Sequence, residues 1–237
     1  MIEVKNISKA YGNKKVVDNV SLNIQEGKIT SFIGPNGAGK STLLSIMSRL
    51  LKRDSGEVLL DGKDILSWDN KELAKKIAIL RQSNNINIRL TIKELVSFGR
   101  FPHSQGNLKE EDYKYIDEAI NYMQLKEFED RYLDELSGGQ KQRVTLAGVM
   151  VGDVDILLFD EPLASLDPAT GKSAIELIDQ IQKETKKTIL IIEHRLEDVL
   201  HCDVDRVIVM DKGEIIADTT IDEIIRKDIL RKVGIRE

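Results

Sequence analysis

The chain has 237 residues, enough for one large domain or for a core domain with a smaller lobe. Its net charge of −5 and its low aromatic content of 5% argue against nonspecific nucleic-acid binding as the main role. The single cysteine, Cys202, excludes an internal disulfide and suits a reducing cytoplasm, and the apolar runs are too short to span a bilayer. We therefore expect any membrane contact to be made through another chain.

Residues 1–33 are predicted to form mostly β-strands. Apolar residues alternate with polar ones in this segment, as they do in a sheet with one buried face. The pairs Gly12-Asn13 and Glu26-Gly27 mark turns. Tyr11 lies in the first turn region, outside the alternating set, and taken alone it is interpreted as a surface aromatic residue.

A glycine-rich loop follows the strand predicted at 28–33, and an apolar run at helical spacing follows the loop. The loop fits G-x-x-x-x-G-K-[ST], the P-loop pattern, and consists of Gly34, Pro35, Asn36, Gly37, Ala38, Gly39, Lys40, Ser41 and Thr42. Glycines let backbone N–H groups close around phosphate oxygens, and the helix start adds its dipole. The pattern predicts that Lys40 contacts the β- and γ-phosphates and that Ser41 binds Mg²⁺. The alternative is a glycine-rich turn that only starts a helix.

The next elements lead to a glutamine at a strand end. We predict a short strand and turn over 57–62, a short helix over 70–76 and a buried strand over 77–80. Gln82 comes just past this strand, where α/β sheets place ligands. By itself, however, Gln82 is better interpreted as a plain loop residue.

Strand patterns then give way to helical ones over residues 83–136. Thr91 is predicted to cap a helix over 92–99, with Glu94 at the capping-box position. Apolar residues at helical spacing predict a second helix over 112–123. We interpret 83–136 as a helical lobe inserted into an α/β core.

A second glycine-containing helix start follows this lobe. Its residues are Ser137, Gly138, Gly139 and Gln140, and Ser137 is placed to cap a helix through Val151. Two glycines in the first turn leave backbone amides unshielded, which makes a second potential anion site. The alternative is an ordinary capped helix.

Carboxylates and a histidine follow two further buried strands. Asp160 ends an apolar run in the Walker B pattern, in which the aspartate holds the magnesium ion. Glu161 comes next and is a candidate general base for an attacking water. The alternative is a pair of turn-forming acids before Pro162. His194 follows the strand predicted at 188–193 and is a candidate sensor of the γ-phosphate, or else a structural histidine.

The ordered set of these motifs resembles the nucleotide-binding domains of ABC transporters. In chain order the matches are Walker A at 34–42, the Q-loop at Gln82, the signature motif at 136–140, Walker B at Asp160-Glu161, the D-loop at Ser165-Leu166-Asp167 and the H-loop at His194. The resemblance covers essentially the whole chain. By this resemblance, Tyr11 looks like the A-loop aromatic residue that stacks on adenine, which replaces the interpretation given above.

The resemblance implies the fold and its subdivision. We expect an α/β P-loop NTPase core with a mixed sheet, an N-terminal antiparallel β subdomain and an inserted α-helical subdomain. Within one ABC ATPase domain over 1–237, the RecA-like core with the β subdomain takes 1–82 and 153–237. The helical subdomain, including the signature helix, takes 83–152.

The N-terminal and C-terminal parts of the chain resemble different subfamilies of these ATPases. Residues 1 to about 138 look most like ATPases of ferric-siderophore importers, chiefly over 89–103. From about residue 139 the chain looks like ATPases of energy-coupling-factor vitamin importers, and Arg195 stands where siderophore importers usually carry aspartate. This change suggests the hypothesis of a chimera, natural or engineered, of two importer ATPases.

The family's mechanism implies the roles of the remaining residues. Two chains, as a homodimer or a pseudo-homodimer, bind each ATP between the P-loop of one and Ser137-Gly138-Gly139 of the other. Ser41, Asp160 and Gln82 serve Mg²⁺, Glu161 activates water, His194 contacts the γ-phosphate and Asp167 couples the two sites. Gln82 and residues 83–136 contact an integral-membrane permease. The chain is thus expected to be a cytoplasmic ATPase, peripheral on the inner face of the membrane, with no nucleic-acid partner.

Two other classes of ABC protein are alternatives to an importer ATPase. ABC-type ATPases that act on DNA carry long coiled-coil insertions, and those that act on ribosomes carry two such domains in one chain, so neither fits 237 residues with a short helical lobe. The remaining alternative is a recombined or engineered chain whose motifs are intact but which has no cognate transporter.

Overall fold

A computed structural model describes residues 1–81, 89–164, 166–194 and 197–227. The strands of these residues are β1 (Ile2–Tyr11), β2 (Lys14–Ile24), β3 (Ile29–Ile33), β4 (Ser55–Leu60), β5 (Lys63–Asp64), β6 (Ile77–Leu80), β7 (Ile156–Asp160), β8 (Thr188–Glu193), β9 (Arg206–Asp211) and β10 (Glu214–Thr219). The α-helices are α1 (Lys40–Met47), α2 (Asn70–Ala74), α3 (Ile92–Ser97), α4 (Phe101–Ser104), α5 (Glu110–Tyr122), α6 (Gly138–Met150), α7 (Pro168–Thr185) and α8 (Ile221–Lys227). Short 3-10 turns occupy Ile65–Ser67, Phe98–Arg100, Lys126–Phe128, Leu133–Glu135 and Glu197–Val199.

The smaller sheet is antiparallel and has the strand order β2-β1-β4-β5. Along β1, Ile2, Val4 and Ile7 are buried, because alternate side chains of a strand point to one face. The prediction of an N-terminal antiparallel β subdomain is confirmed.

The larger sheet has the strand order β10-β9-β3-β8-β7-β6. Its neighbouring strands are parallel except for β10, which runs antiparallel to β9, so the predicted mixed sheet is confirmed. Every residue of β3, β7 and β8 is buried, because both faces of the sheet are covered. One face packs on α1 and the smaller sheet, and the other packs on α5, α6 and α7.

The central strands end at one edge of the sheet. Ile33 of β3 pairs with Glu193 of β8, and Asp160 of β7 pairs with Ile192. The loop after β3 and the residues that follow β7 and β8 therefore emerge side by side. This edge, at the carboxyl ends of parallel strands, is where open α/β sheets bind ligands.

The helices α3 to α6 lie between β6 and β7 in the chain, which agrees with the predicted helical insertion. The capping box of α3 is present, because Thr91 N–H donates to Glu94 Oε2 at 2.8 Å and Glu94 N–H donates to Thr91 Oγ1 at 3.2 Å. Gly99 packs tightly on α6, since a Cβ atom there would lie 2.1 Å from the carbonyl oxygen of Gly148. None of the helices in the described residues has the length and apolar content needed to cross a bilayer.

Candidate nucleotide site

The predicted P-loop lies between β3 and α1 and lines a small cavity. Gly39 precedes α1 with a φ of 100°, and no side chain caps the helix. Within the described ranges, the first-turn N–H groups of α1 therefore have no side-chain acceptor, as an anion site requires. The cavity has a volume of about 120 Å³ and is lined by residues 36–42, Val16, Glu161 and His194.

The loop is held from outside by the turn between β9 and β10. Gly213 N–H donates to the carbonyl oxygen of Ala38 at 3.0 Å, and the carbonyl oxygen of Gly213 accepts from Asp18 N–H at 2.9 Å. A Cβ atom on Gly39 would lie 2.3 Å from the carbonyl oxygen of Val16. The shape of the loop thus depends on β2 and on the β9–β10 turn, which are distant from it in sequence.

Lys40 is almost fully buried beneath the loop, with 4% of its surface exposed. Its Nζ atom donates to the carbonyl oxygens of Gly34 at 2.6 Å and Pro35 at 3.2 Å, and lies 3.5 Å from Nδ1 of His194. Burial lowers the pKa of Lys40, and the nearby carboxylates, of which Glu161 has the largest effect, oppose this change. The ammonium group is therefore held inside the loop, where a phosphate oxygen could replace the carbonyl oxygens.

Ser41 and Asp160 form a pair of oxygen ligands. The Ser41 hydroxyl donates to Asp160 Oδ1 at 2.7 Å. Burial raises the pKa of Asp160, and the hydrogen bond from Ser41 opposes that shift. A buried carboxylate beside a hydroxyl fits a small, hard cation such as Mg²⁺, which prefers oxygen ligands and retains several waters.

Glu161 and His194 meet at the mouth of the cavity. His194 Nε2 lies 2.8 Å from Glu161 Oε1, and Glu161 N–H donates to the carbonyl oxygen of Ile192 at 3.0 Å. Glu161 has a φ of 54°, which is uncommon for a residue with a side chain and often marks a functional position. The strand ends therefore bring a carboxylate and an imidazole beside Lys40, as expected from their positions in the sequence.

The residues of the predicted signature motif do not join this cavity. Ser137 caps α6, because Gln140 N–H donates to Ser137 Oγ at 3.3 Å and Ser137 N–H donates to Gln140 Oε1 at 2.9 Å. A Cβ atom on Gly138 would meet no atom within 4 Å in the part of the chain that the structure describes, whereas one on Gly139 would lie 3.2 Å from the methyl group of Thr170. The start of α6 is thus open toward its outer side and packed against α7 on the other.

Asp167 caps α7, with Oδ1 accepting from the N–H groups of Ala169 and Thr170 at 3.1 Å each. Tyr11 ends β1 and is 53% exposed, with Lys9 Nζ 5.9 Å from the centre of its ring. Neither residue lines the P-loop cavity. The predictions for Gln82 and Ser165 concern positions outside the described residues.

Two residues of the site were not singled out in the sequence. Val16 lines the cavity, but in the sequence it cannot be distinguished from the other apolar residues of its strand. Glu193 is 2% exposed at the end of β8, and its Oε1 atom accepts from Leu163 N–H at 3.1 Å. A charged residue that closes an apolar strand is a usable signal, since buried carboxylates need specific partners.

Comparison with known proteins agrees with this geometry. The ABC transporter family model matches residues 17–164. The petrobactin import ATP-binding protein YclP of Bacillus subtilis strain 168 is 51% identical over 98% of this chain and 92% of its own length. The iron(3+)-hydroxamate import ATP-binding protein FhuC of the same strain is 40% identical over 94% of this chain and 83% of its own length.

A solved structure extends the similarity to three dimensions. The dimeric structure of MJ0796, a bacterial ABC transporter cassette, superimposes with a TM-score of 0.80 and 32% identity, over 93% of this chain and 99% of that one. One relative, YclP, covers both parts of the sequence that looked different, so the chimera hypothesis has no support. The chain belongs to the ATP-binding domains of ABC transporters and is an ATPase of that family.

Proposed function

We propose that the chain is the ATP-hydrolysing subunit of an importer of the iron-siderophore class. The observation that carries the proposal is the group of Lys40, Ser41, Asp160, Glu161 and His194 at one sheet edge. The relatives named for petrobactin and iron(3+)-hydroxamate import support the cargo class. Cargo selection itself belongs to the permease and to a separate binding component.

Two chains bind ATP head to tail. The signature residues are not among the described residues that line the P-loop cavity of their own chain, so they serve the cavity of a second chain. Gly138 supports this role, because a Cβ atom there would meet no atom of the described residues within 4 Å, and a bare backbone is what a phosphate group can approach. The related cassette MJ0796 is described as dimeric, and the partner here is a second copy or a similar ATPase.

In the proposed complex, Tyr11 stacks on adenine and residues 34–42 surround the phosphates. Lys40 exchanges the carbonyl oxygens of its own loop for phosphate oxygens. Ser41 and Asp160, with Gln82, would hold Mg²⁺, which would neutralise charge on the phosphates.

Glu161 takes a proton from the attacking water while the water oxygen bonds to the γ-phosphorus. The bond between the γ-phosphorus and the β–γ bridging oxygen breaks, and that oxygen leaves with ADP. His194 orients the carboxylate before ATP binds and contacts the γ-phosphate afterwards. Loss of that phosphate removes the contacts that hold the two chains together, and Asp167 links the two sites across the dimer.

The membrane partner binds the helical subdomain, for which we retain the boundaries 83–152, with the core at 1–82 and 153–237. Two aromatic residues support this, because Phe98 and Phe101 are 58% and 57% exposed on the segment between α3 and α5. The proposed permease contact is made by Gln82 and residues 83–136. This contact places the subunit on the cytoplasmic face of the membrane as a peripheral protein.

The test is co-purification of the chain with a siderophore-type and a vitamin-type permease in lipid nanodiscs. We expect the siderophore-type permease to retain the chain and to stimulate its ATPase activity. A double variant, Phe98→Ser with Phe101→Ser, should no longer bind the permease. When Glu161→Gln is added to this double variant, the protein should still form a dimer with Mg-ATP. Retention by the vitamin-type permease alone, or by neither, would overturn the proposed class.

A further inference from the structure

Glu193 is a buried carboxylate to which the mechanism above gives no part. It ends β8 directly before His194, and only 2% of its surface is exposed. Its charge also acts on Lys40, although Glu161 and Asp160 have larger effects there. Burying a carboxylate is costly unless specific partners compensate for the lost hydration.

One such partner belongs to the segment that leads to the D-loop. Leu163 N–H donates to Glu193 Oε1 at 3.1 Å, two residues after the candidate base Glu161. The carbonyl oxygen of the same Leu163 accepts from Leu166 N–H at 3.0 Å. The N–H group of Leu163 is therefore held by Glu193 at the end of β8, and its carbonyl oxygen is held by Leu166, the residue before Asp167.

The same path continues to the signature helix. Asp167 caps α7 through the N–H groups of Ala169 and Thr170, and the Thr170 methyl group lies beside Gly139, where a Cβ atom would be 3.2 Å from it. A displacement of Leu163 would therefore be passed to Asp167 and to the start of α6. These are the parts that the proposed dimer presents to the second chain.

We propose that Glu193 is a positioning residue that sets the D-loop for contact with the second subunit by accepting the Leu163 N–H group. The inference rests on the proposed head-to-tail dimer. The length of the side chain is the decisive property, because the hydrogen bond needs an acceptor oxygen within about 3 Å of the Leu163 nitrogen. Its negative charge is not required for the bond.

Three substitutions separate reach from charge. Glu193→Gln keeps an oxygen at the same reach and removes the charge. Glu193→Asp keeps the charge but shortens the side chain by one methylene, and Glu193→Met keeps the length without an acceptor. Each is combined with Glu161→Gln, and Mg-ATP dimer formation is measured by analytical ultracentrifugation, together with the Kd of the monomer for ADP.

We expect the Gln variant to dimerise as its Glu161→Gln parent does. The Asp and Met variants should dimerise at least about ten-fold more weakly, with the ADP Kd unchanged, because the lost bond affects both equivalent interfaces. Equal dimerisation in all three variants, or a weaker Gln variant beside a normal Asp variant, would overturn the inference. A parallel loss of ADP binding would show a general structural defect and would overturn it as well.

A second measurement does not depend on dimerisation. Hydrogen exchange of the Leu163 amide in the nucleotide-free chain should be slow in the wild type and in Glu193→Gln, and faster in Glu193→Asp and Glu193→Met. Equal exchange rates would refute the role of Glu193 even if the chain proved to be monomeric. A monomeric Glu161→Gln parent with the expected exchange rates would instead count against the proposed dimer alone.

Discussion

The Nε2 atom of His194 lies 2.8 Å from the Oε1 atom of Glu161, and the Nδ1 atom of the same ring lies 3.5 Å from Nζ of Lys40. The imidazole therefore connects the candidate general base to the lysine that is proposed to bind phosphate. An incoming γ-phosphate would have to compete with these contacts. In the proposed mechanism, ATP binding would therefore separate the Glu161 carboxylate from the His194 ring.

Glu161→Gln should lower the ATPase kcat by about 100-fold or more, because the amide cannot accept the proton of the attacking water. The KM for ATP should remain close to the wild-type value, since the amide keeps the size of the side chain. Phosphate release at saturating Mg-ATP measures the effect, and Glu57→Gln on the exposed side of β4 is the control. Hydrolysis at the wild-type rate would refute the proposed role of Glu161.

Asp160→Asn should raise the melting temperature of the nucleotide-free protein at neutral pH while it abolishes Mg²⁺-dependent hydrolysis. Burial raises the pKa of Asp160 in the folded state, so the folded protein binds this proton more tightly than the unfolded chain. The stability that this group contributes is present at low pH and is lost as pH rises through the folded pKa. Thermal melts from acid to neutral pH should therefore converge for the two proteins at the acid end, and a variant less stable at neutral pH would contradict this.

Gly39→Ala should destabilise the domain, chiefly by straining the P-loop. The φ of 100° alone costs roughly 1–2 kcal/mol for a residue with a Cβ atom, and the clash with the Val16 carbonyl adds typically about 1–3 kcal/mol. Gly62→Ala is the matched control, because its φ is 77° but its Cβ atom would meet nothing within 4 Å. Urea denaturation should show a clearly larger loss for Gly39→Ala; equal losses would exclude the clash as a cause.

Thr188→Val should destabilise the protein, whereas Thr30→Val should not. Thr30 Oγ1 is buried and has no hydrogen-bond partner among the described residues, so its removal should be neutral or stabilising by up to about 1 kcal/mol. Thr188 Oγ1 accepts from Gly27 N–H at 3.0 Å, and its removal should cost roughly 1–3 kcal/mol because that N–H loses its partner. The free energies of unfolding in urea measure both, and a Thr30→Val variant that is the less stable of the two would contradict the expectation.

Tyr11→Ala should weaken ATP binding by roughly ten-fold, which corresponds to about 1.4 kcal/mol of stacking, without lowering the melting temperature. The side chain is 53% exposed, so its removal leaves no cavity in the core. Tyr113→Ala, at a tyrosine that is 46% exposed on α5, should change neither property. Isothermal titration of the monomer with ATP gives the comparison, and unchanged affinity in Tyr11→Ala would remove this residue from the proposed site.

Several elements could be predicted from the sequence because they depend on interactions between residues that are close together in the chain. The capping box at Thr91, the helix cap at Ser137 and the buried strands that end at Asp160 and Glu193 all depend on groups within a few residues of one another. The helix predicted over 112–123 begins earlier, at Glu110, because acidic residues in a first turn are stabilised by the helix dipole.

Contacts between residues far apart in the chain could not be predicted from the sequence. Gly213 contacts the P-loop from the far end of the chain, and Glu193 at the end of β8 binds Leu163, which follows the neighbouring strand β7. Nothing in the spacing of these residues relates one to the other, because sheet order alone brings them together. The sequence therefore predicted which strand ends carry the chemistry, but not which neighbours hold those ends in place.

The position of β3 within its sheet has a consequence for how the domain is divided. The family model matches residues 17–164, whereas both neighbours of β3, the strands β8 and β9, come later in the chain. A fragment cut at the matched boundaries would leave the strand that carries the nucleotide loop unpaired along both edges. Expression, truncation or domain-fusion designs must therefore extend at least through the β9–β10 turn, since the strand before the nucleotide loop pairs only with strands that lie beyond the matched residues.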